Sequence, residues 1–119
     1  MTPDELRART KAFALRIVKL YRSLPRSADA QVMGKQLLRC GTSVAANYPA
    51  SCRARSKAEF ASRIGIVVEE ADESGFWLEM LVDAGIVRVA LLKDLLQESK
   101  ELTAIFTATQ QSVRKRYEN

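Results

Sequence analysis

Histidine is absent from the 119 residues, and cysteine occurs only twice, at Cys40 and Cys52. Without histidine there is no Ser–His or Cys–His pair to activate a nucleophile. Nor is there a Glu-x-x-His motif of the kind that holds di-iron centres inside helical bundles. Two cysteines without a CxxC leave a zinc site short of ligands; they read as small thiols in or near the core. Glycine (5) and proline (3) are scarce, which argues against a turn-rich β fold. No apolar run approaches the roughly 18–20 residues that cross a bilayer. The opening "MTPDELRART" carries early acids and no apolar signal core. The expected protein is cytoplasmic, with no membrane partner, no metal and no cofactor.

What is present is apolar residue in quantity, 47% of the chain, and a net charge of +5. The length suits one domain, taken as residues 1–119, and the composition suits a folded one. The charge is unevenly laid out. Residues 1–26 carry +5, 27–56 carry +3, 57–86 carry −5 and 87–119 carry +2. Basic outer surfaces and one acidic helix are the expected result, and basic surfaces favour polyanionic partners as well as solubility.

Four stripes of apolar residues mark four helices. The first opens on "TPDE", with Thr2 as cap, Pro3 at the first helical position and Glu5 to complete a capping box. Its stripe is Leu6, Thr10, Phe13, Ile17, Leu20 and Leu24, spaced 4-3-4-3-4, and Pro25 ends it. The second starts near Ser27, with Met33, Leu37, Cys40, Val44, Asn47 and Ser51 on its stripe. Asn47 is thus expected on the buried seam, where an amide needs a partner: Ser43, or a polar group of the third or fourth helix. Pro49 removes a backbone donor and crowds Ala45, so a kink or a stop is expected near Tyr48–Pro49.

The third helix opens on "SKAE", a second capping box from Ser56 and Glu59. Its stripe is Phe60, Ile64, Val67, Ala71, Ser74, Leu78 and Leu81. Ile66, Val68, Phe76, Trp77 and Val82 add apolar surface on other sides, which points to a subunit interface at Phe76, Trp77 and Ile66. Gly65 and Gly75 each cost about 1 kcal/mol in a helix, tolerable where another backbone comes close, and Gly85 is the expected left-handed stop. A fourth helix follows Ile86 with Leu92, Leu95, Ser99, Leu102, Phe106, Thr109 and Val113. The reading is all-α: an antiparallel up-down-up-down four-helix bundle.

Three functional readings arise from the charges. The first is nucleic-acid binding without strong sequence specificity, to RNA or DNA backbone, through Arg53, Arg55, Lys57 and Arg63 around the second turn. Arg9, Arg16, Lys19 and Arg22 on the first helix and Arg114, Lys115 and Arg116 in the tail would assist. The second is a structural adaptor for a protein partner. The third is a Mg-dependent nucleotide pyrophosphohydrolase, because "EEADE" (Glu69 to Glu73) has the EExxE spacing that holds Mg²⁺ against phosphates. The later ExxD is missing, and Glu98–Glu101 is its nearest counterpart. The acidic run is also the natural partner, internal or intersubunit, for the basic face.

"CGTSVAANY", "RARSKAEF" and "EADESGFWLEML" together resemble the four-helix-bundle family that includes the rRNA intervening-sequence proteins, over about Phe13 to Thr109. The resemblance implies a homopentameric ring with a central channel. It also implies kinship with the bundle accessory protein of diversity-generating retroelements, which works with a reverse transcriptase and nucleic acid. Most members of that family have no established biochemical function, so the resemblance implies the fold more than the role, and the expected protein is not an enzyme. The sequence departs from the family pattern after Asn47–Tyr48. Polar residues including a glutamate are expected there, and Pro49–Ala50–Ser51 stands instead, leaving the position of Ala50 uncharged.

Overall fold

The computed structural model describes residues 1–118, with side chains through Arg116. It holds four helices and, among the described residues, no strand: α1 (Pro3–Ser23), α2 (Ala28–Ser51), α3 (Lys57–Asp83) and α4 (Val89–Glu118). They form a rod of 50 × 23 × 20 Å with a radius of gyration of 15.1 Å. The helix α3 packs along both α2 and α4, while α1 packs along α2, touches α4 sparsely and does not meet α3. The meetings run in reversed chain order. Gly41 faces Ile17 while Gly34 faces Leu24, and Gly65 faces Gln110 while Gly75 faces Ser99.

Local chemistry sets the boundaries. Thr2 Oγ1 accepts from Glu5 N at 3.1 Å and Ser56 Oγ from Glu59 N at 3.0 Å, so both hydroxyl caps form. The Glu59 carboxylate closes its box one residue early, on Arg55 N at 2.8 Å. The helix α3 ends in a Schellman motif: Gly85 N donates to Val82 O and Ile86 N to Leu81 O, with Gly85 at φ 72°.

Pro49 does not stop α2, which runs on to Ser51. The ring costs the bond to Ala45, but the last turn re-forms below it, with Cys52 N on Tyr48 O and Arg53 N on Ala50 O. Asn47 lies beside the seam rather than on it. Its half-buried amide donates to Ser43 O (2.9 Å) and Ser43 Oγ (2.7 Å), one turn earlier on the same helix. Tyr48 takes the core position instead, with its ring 5.1 Å from that of Phe106. A 3.6-residue helix drifts off a strict heptad, and over two turns the drift moves the inward position from 47 to 48. Gly65 and Gly75 face α4 side chains, Gln110 and Ser99, rather than backbone. Gln110 Nε2 uses the space over Gly65 to donate to Ala61 O at 3.0 Å.

The core is apolar and filled by the expected stripes. Phe13, Ile17, Leu37, Val44, Ile64, Val67, Leu78, Leu81, Leu92, Leu102 and Phe106 are essentially inaccessible. The polar residues on the stripes return their hydroxyls to their own helices, as Thr10 Oγ1 does to Leu6 O at 3.0 Å and Ser99 Oγ to Leu96 O at 2.8 Å. Among the described residues no buried polar side-chain atom lacks a partner. Cys52 is exposed, against the near-core expectation, because it caps α2 beyond the last packed turn.

Candidate nucleic-acid interface

The sequence offers cations in four places, and the fold sorts them by their neighbours. Two arginines are neutralised across helices, while Arg7 and Arg63 pair within their own helices with Asp4 and Glu59. Arg9 reaches from α1 to α4, where its Nε and Nη2 donate to Glu98 at 2.8 and 2.7 Å and Nη2 also to Glu101 at 3.0 Å. The fork pushes the arginine further up and holds the Glu98 carboxyl below its usual range. Arg39 of α2 bridges to Glu70, at 3.2 Å, and to Glu73 of α3. Sequence reasoning did not single out Arg39, since nothing local distinguishes it from other exposed arginines.

These same pairings divide the acidic residues. Glu70 and Glu73 face α2 in the hold of Arg39, and Glu98 and Glu101 face α1 in the hold of Arg9. Among the described residues no three carboxylate or thiol groups converge as a metal-ligand set. The two halves of the expected phosphohydrolase motif therefore do not share a site. Glu73 also accepts from Trp77 Nε1 at 3.1 Å, and Trp77 lies edge-on to Phe76 at 4.9 Å. Trp77 is half-buried, while Phe76 and Ile66 are exposed.

The α2–α3 turn gathers a different group. Arg53, Arg55 and Arg63 line one open cleft with Ala50 and Glu59. Arg55 and Lys57 line the next, with Ala54, Ser56 and Phe60 of α3's start and Val113 and Arg116 of α4. Five cations thus border two adjoining clefts at one end of the rod. Their single carboxylate, Glu59, accepts from Arg55 N and from Arg63 Nε at 3.1 Å, and these bonds lower its pKa. Of the tail residues expected to assist, Arg116 reaches this end. The uncharged Ala50 forms part of the wall.

The α1 cations stand apart. Arg22 borders a cleft with Tyr21, Leu24, Arg26 and Gln31 at the α1–α2 turn. The 24 residues of α2 separate that turn from the α2–α3 turn, a rise of about 36 Å. Arg16 and Lys19 lie along the exposed side of α1. The seven residues expected to bind nucleic acid therefore form two surfaces, Arg53, Arg55, Lys57 and Arg63 at one end and Arg16, Lys19 and Arg22 along α1.

Comparison with known proteins adds the family. Residues 5–108 match the 23S rRNA-intervening sequence proteins. A crystal structure from Bacteroides thetaiotaomicron, described as a protein with unknown function from the S23 ribosomal protein family, is 31% identical. It superposes with a TM-score of 0.85 over 93% of this chain and 99% of its own. No curated protein matches.

Proposed function

The chain belongs to the 23S rRNA-intervening sequence protein family, and on that premise we propose a non-enzymatic, homo-oligomeric protein that binds nucleic-acid backbone without strong sequence preference. The observation that carries the reading is the meeting of Arg53, Arg55, Lys57, Arg63 and Arg116 around two clefts that hold one carboxylate between them. Cations so placed displace condensed counterions from phosphates. Forked guanidinium groups grip phosphate oxygens in pairs, which suits arginine over lysine here. No ladder of exposed aromatic rings accompanies them among the described residues, so the reading is contact with backbone and shape rather than bases. The reversed order of the helix meetings supports an antiparallel up-down-up-down bundle, and the family resemblance supports a homopentamer. In such a ring five weak copies of the basic end act together.

The exposed Phe76 and Ile66 favour a second reading, an assembly module for a protein partner. Neither the family nor the similar structure indicates a catalytic activity.

Titrating a labelled structured RNA and a DNA duplex by fluorescence anisotropy at several salt concentrations tests the proposal. Binding should be micromolar or tighter at low salt and fall steeply as salt rises. Arg53→Ala/Arg55→Ala should weaken it for every sequence alike and lower the log–log salt slope by about 2. Absence of binding at about 50 mM salt, well below the range where phosphate contacts are screened away, removes nucleic acid as the ligand.

A further inference from the structure

The exposed sides of α1 and α3 are stripes of the same kind and opposite charge. On α3 the exposed residues from Ile66 onward are Ile66, Glu69, Asp72, Phe76, Glu79 and Asp83, with Arg63 exposed one turn before them. Ile66 and Phe76 are 42% and 51% exposed, and the four carboxylates around them make no ion pair among the described residues. On α1 the outward residues include Lys11, Leu15, Arg16, Lys19 and Arg22. Leu15 is 59% exposed, and the four cations around it are likewise unpaired within the described chain. Each stripe sets apolar side chains among charges mainly of one sign; Lys100 of α4 shares an open cleft with Asp72, Phe76 and Glu79, and among the described residues nothing else covers either stripe. They do not meet internally, because α1 and α3 sit diagonally in the bundle and share no contact.

From this complementarity we infer that the outer face of α1 docks on the outer face of α3 of a second copy of the chain. The inference rests on the oligomeric part of the proposal above and specifies its surfaces. Diagonal helices present their outer faces to opposite sides of the molecule, so one interface uses α1 from one copy and α3 from the other. Such a contact is heterologous: it leaves an unused α1 at one end and an unused α3 at the other, and it propagates until the ring closes. Leu15 seated against Phe76 or Ile66 supplies apolar burial, and the charges on either side set orientation and exclude α1–α1 and α3–α3 pairing. It follows that Arg16, Lys19 and Arg22 serve assembly, and that the α2–α3 end carries the polyanion contacts.

The test is the mass of the full chain by sedimentation velocity and native mass spectrometry, with nucleic acid removed by nuclease. Wild type should form a multimer of the 13.3 kDa chain. Lys11→Glu/Lys19→Glu/Arg22→Glu, and separately Glu69→Lys/Asp72→Lys/Glu79→Lys, should weaken association about a hundredfold or more. The chain carrying both sets should assemble again, because its two faces are once more opposite in charge. Circular dichroism checks that helix content is kept. If a reversed chain loses helix, the neutral Lys11→Gln/Lys19→Gln/Arg22→Gln and wild type at about 1 M salt, where exposed charges are screened beyond about 3 Å, give the same readout. A monomeric wild type, single-face variants of wild-type mass, or a folded double-face variant that stays monomeric each overturns the inference. Arg53→Ala/Arg55→Ala should keep the wild-type mass, which separates failure of assembly from failure of nucleic-acid binding.

Discussion

Cys40 Sγ lies in the core, 3.3 Å from Ser74 Oγ, while Cys52 stands in solvent just past α2. Burial pushes the Cys40 thiol up, further from the reactive thiolate. A maleimide or disulfide reagent should therefore label one thiol per native chain, at Cys52, and a second only after denaturation; two equivalents labelled in the native state would contradict the placement of Cys40. Gly85 is a second case in which a single residue's geometry decides the outcome. Its left-handed φ of 72° closes α3 with both Schellman bonds, and any L side chain there is strained. Gly85→Ala should destabilise the protein by about 1–2 kcal/mol in urea unfolding, although a Cβ would touch nothing. An unchanged midpoint would show that the turn relaxes freely.

At the scale of elements, α1 and α2 approach through missing side chains. A Cβ on Gly41 would fall 2.4 Å from Ile17 Cδ1, and one on Gly34 2.6 Å from Leu24 Cδ1. Ile17 is wholly buried, so it has nowhere to move. Overpacking costs about 1–3 kcal/mol, against about 1 kcal/mol gained in helix propensity, and Gly41→Ala should be net destabilising. In Ile17→Val the Cδ1 atom is gone, so Gly41→Ala added to it should cost less than it does alone. A double-mutant cycle should return a favourable coupling of about 1 kcal/mol, and strict additivity would place the two groups out of contact. The stripes themselves were legible in the sequence: the residues of the α1, α3 and α4 seams are buried or half-buried as spaced. The seam of α2 was legible through Val44 and again at Ser51, and it missed one position between them. There an asparagine and a tyrosine stand side by side, and burial selects the ring of Tyr48 over the amide of Asn47.

At the scale of the whole molecule, α1 is joined to α4 chiefly through charge, since the two helices touch little. Arg9 forks onto Glu98 with side-chain exposures of 22% and 16%, sheltered enough for the pair to hold the two ends of the chain together. Glu98 titrates lower when folded than when unfolded. Its contribution is therefore complete above the unfolded carboxylate range and is lost as pH falls through the folded value. Thermal midpoints should drop on acidification below about pH 4.5. Glu98→Gln should lower the midpoint at neutral pH and flatten the acid limb. A variant with the same acid limb as wild type would assign the acid sensitivity elsewhere, Glu59 being the next candidate because its carboxyl is also held low by Arg55 N and Arg63.

The sequence by itself determined the four helices, their caps, the Gly85 stop and most of the core, because these follow from spacing and from backbone chemistry within a few residues. It also disclosed that charge is segregated by segment, and the motifs shared with the family were readable as short strings. Only the tertiary structure decided which charges are free. Arg9 and Arg39 look like their neighbours in the sequence, yet each ends against carboxylates from a distant helix. The basic residues divide into an end and a side because a helix as long as α2 holds its two turns apart. The EEADE run becomes half an ion-pair network and half an outer face because α2 and α4 pack along α3 and leave its remaining side, with Glu69 and Asp72, to solvent. Pairing across helices depends on which faces meet, and that is settled by packing the core as a whole rather than by any local pattern.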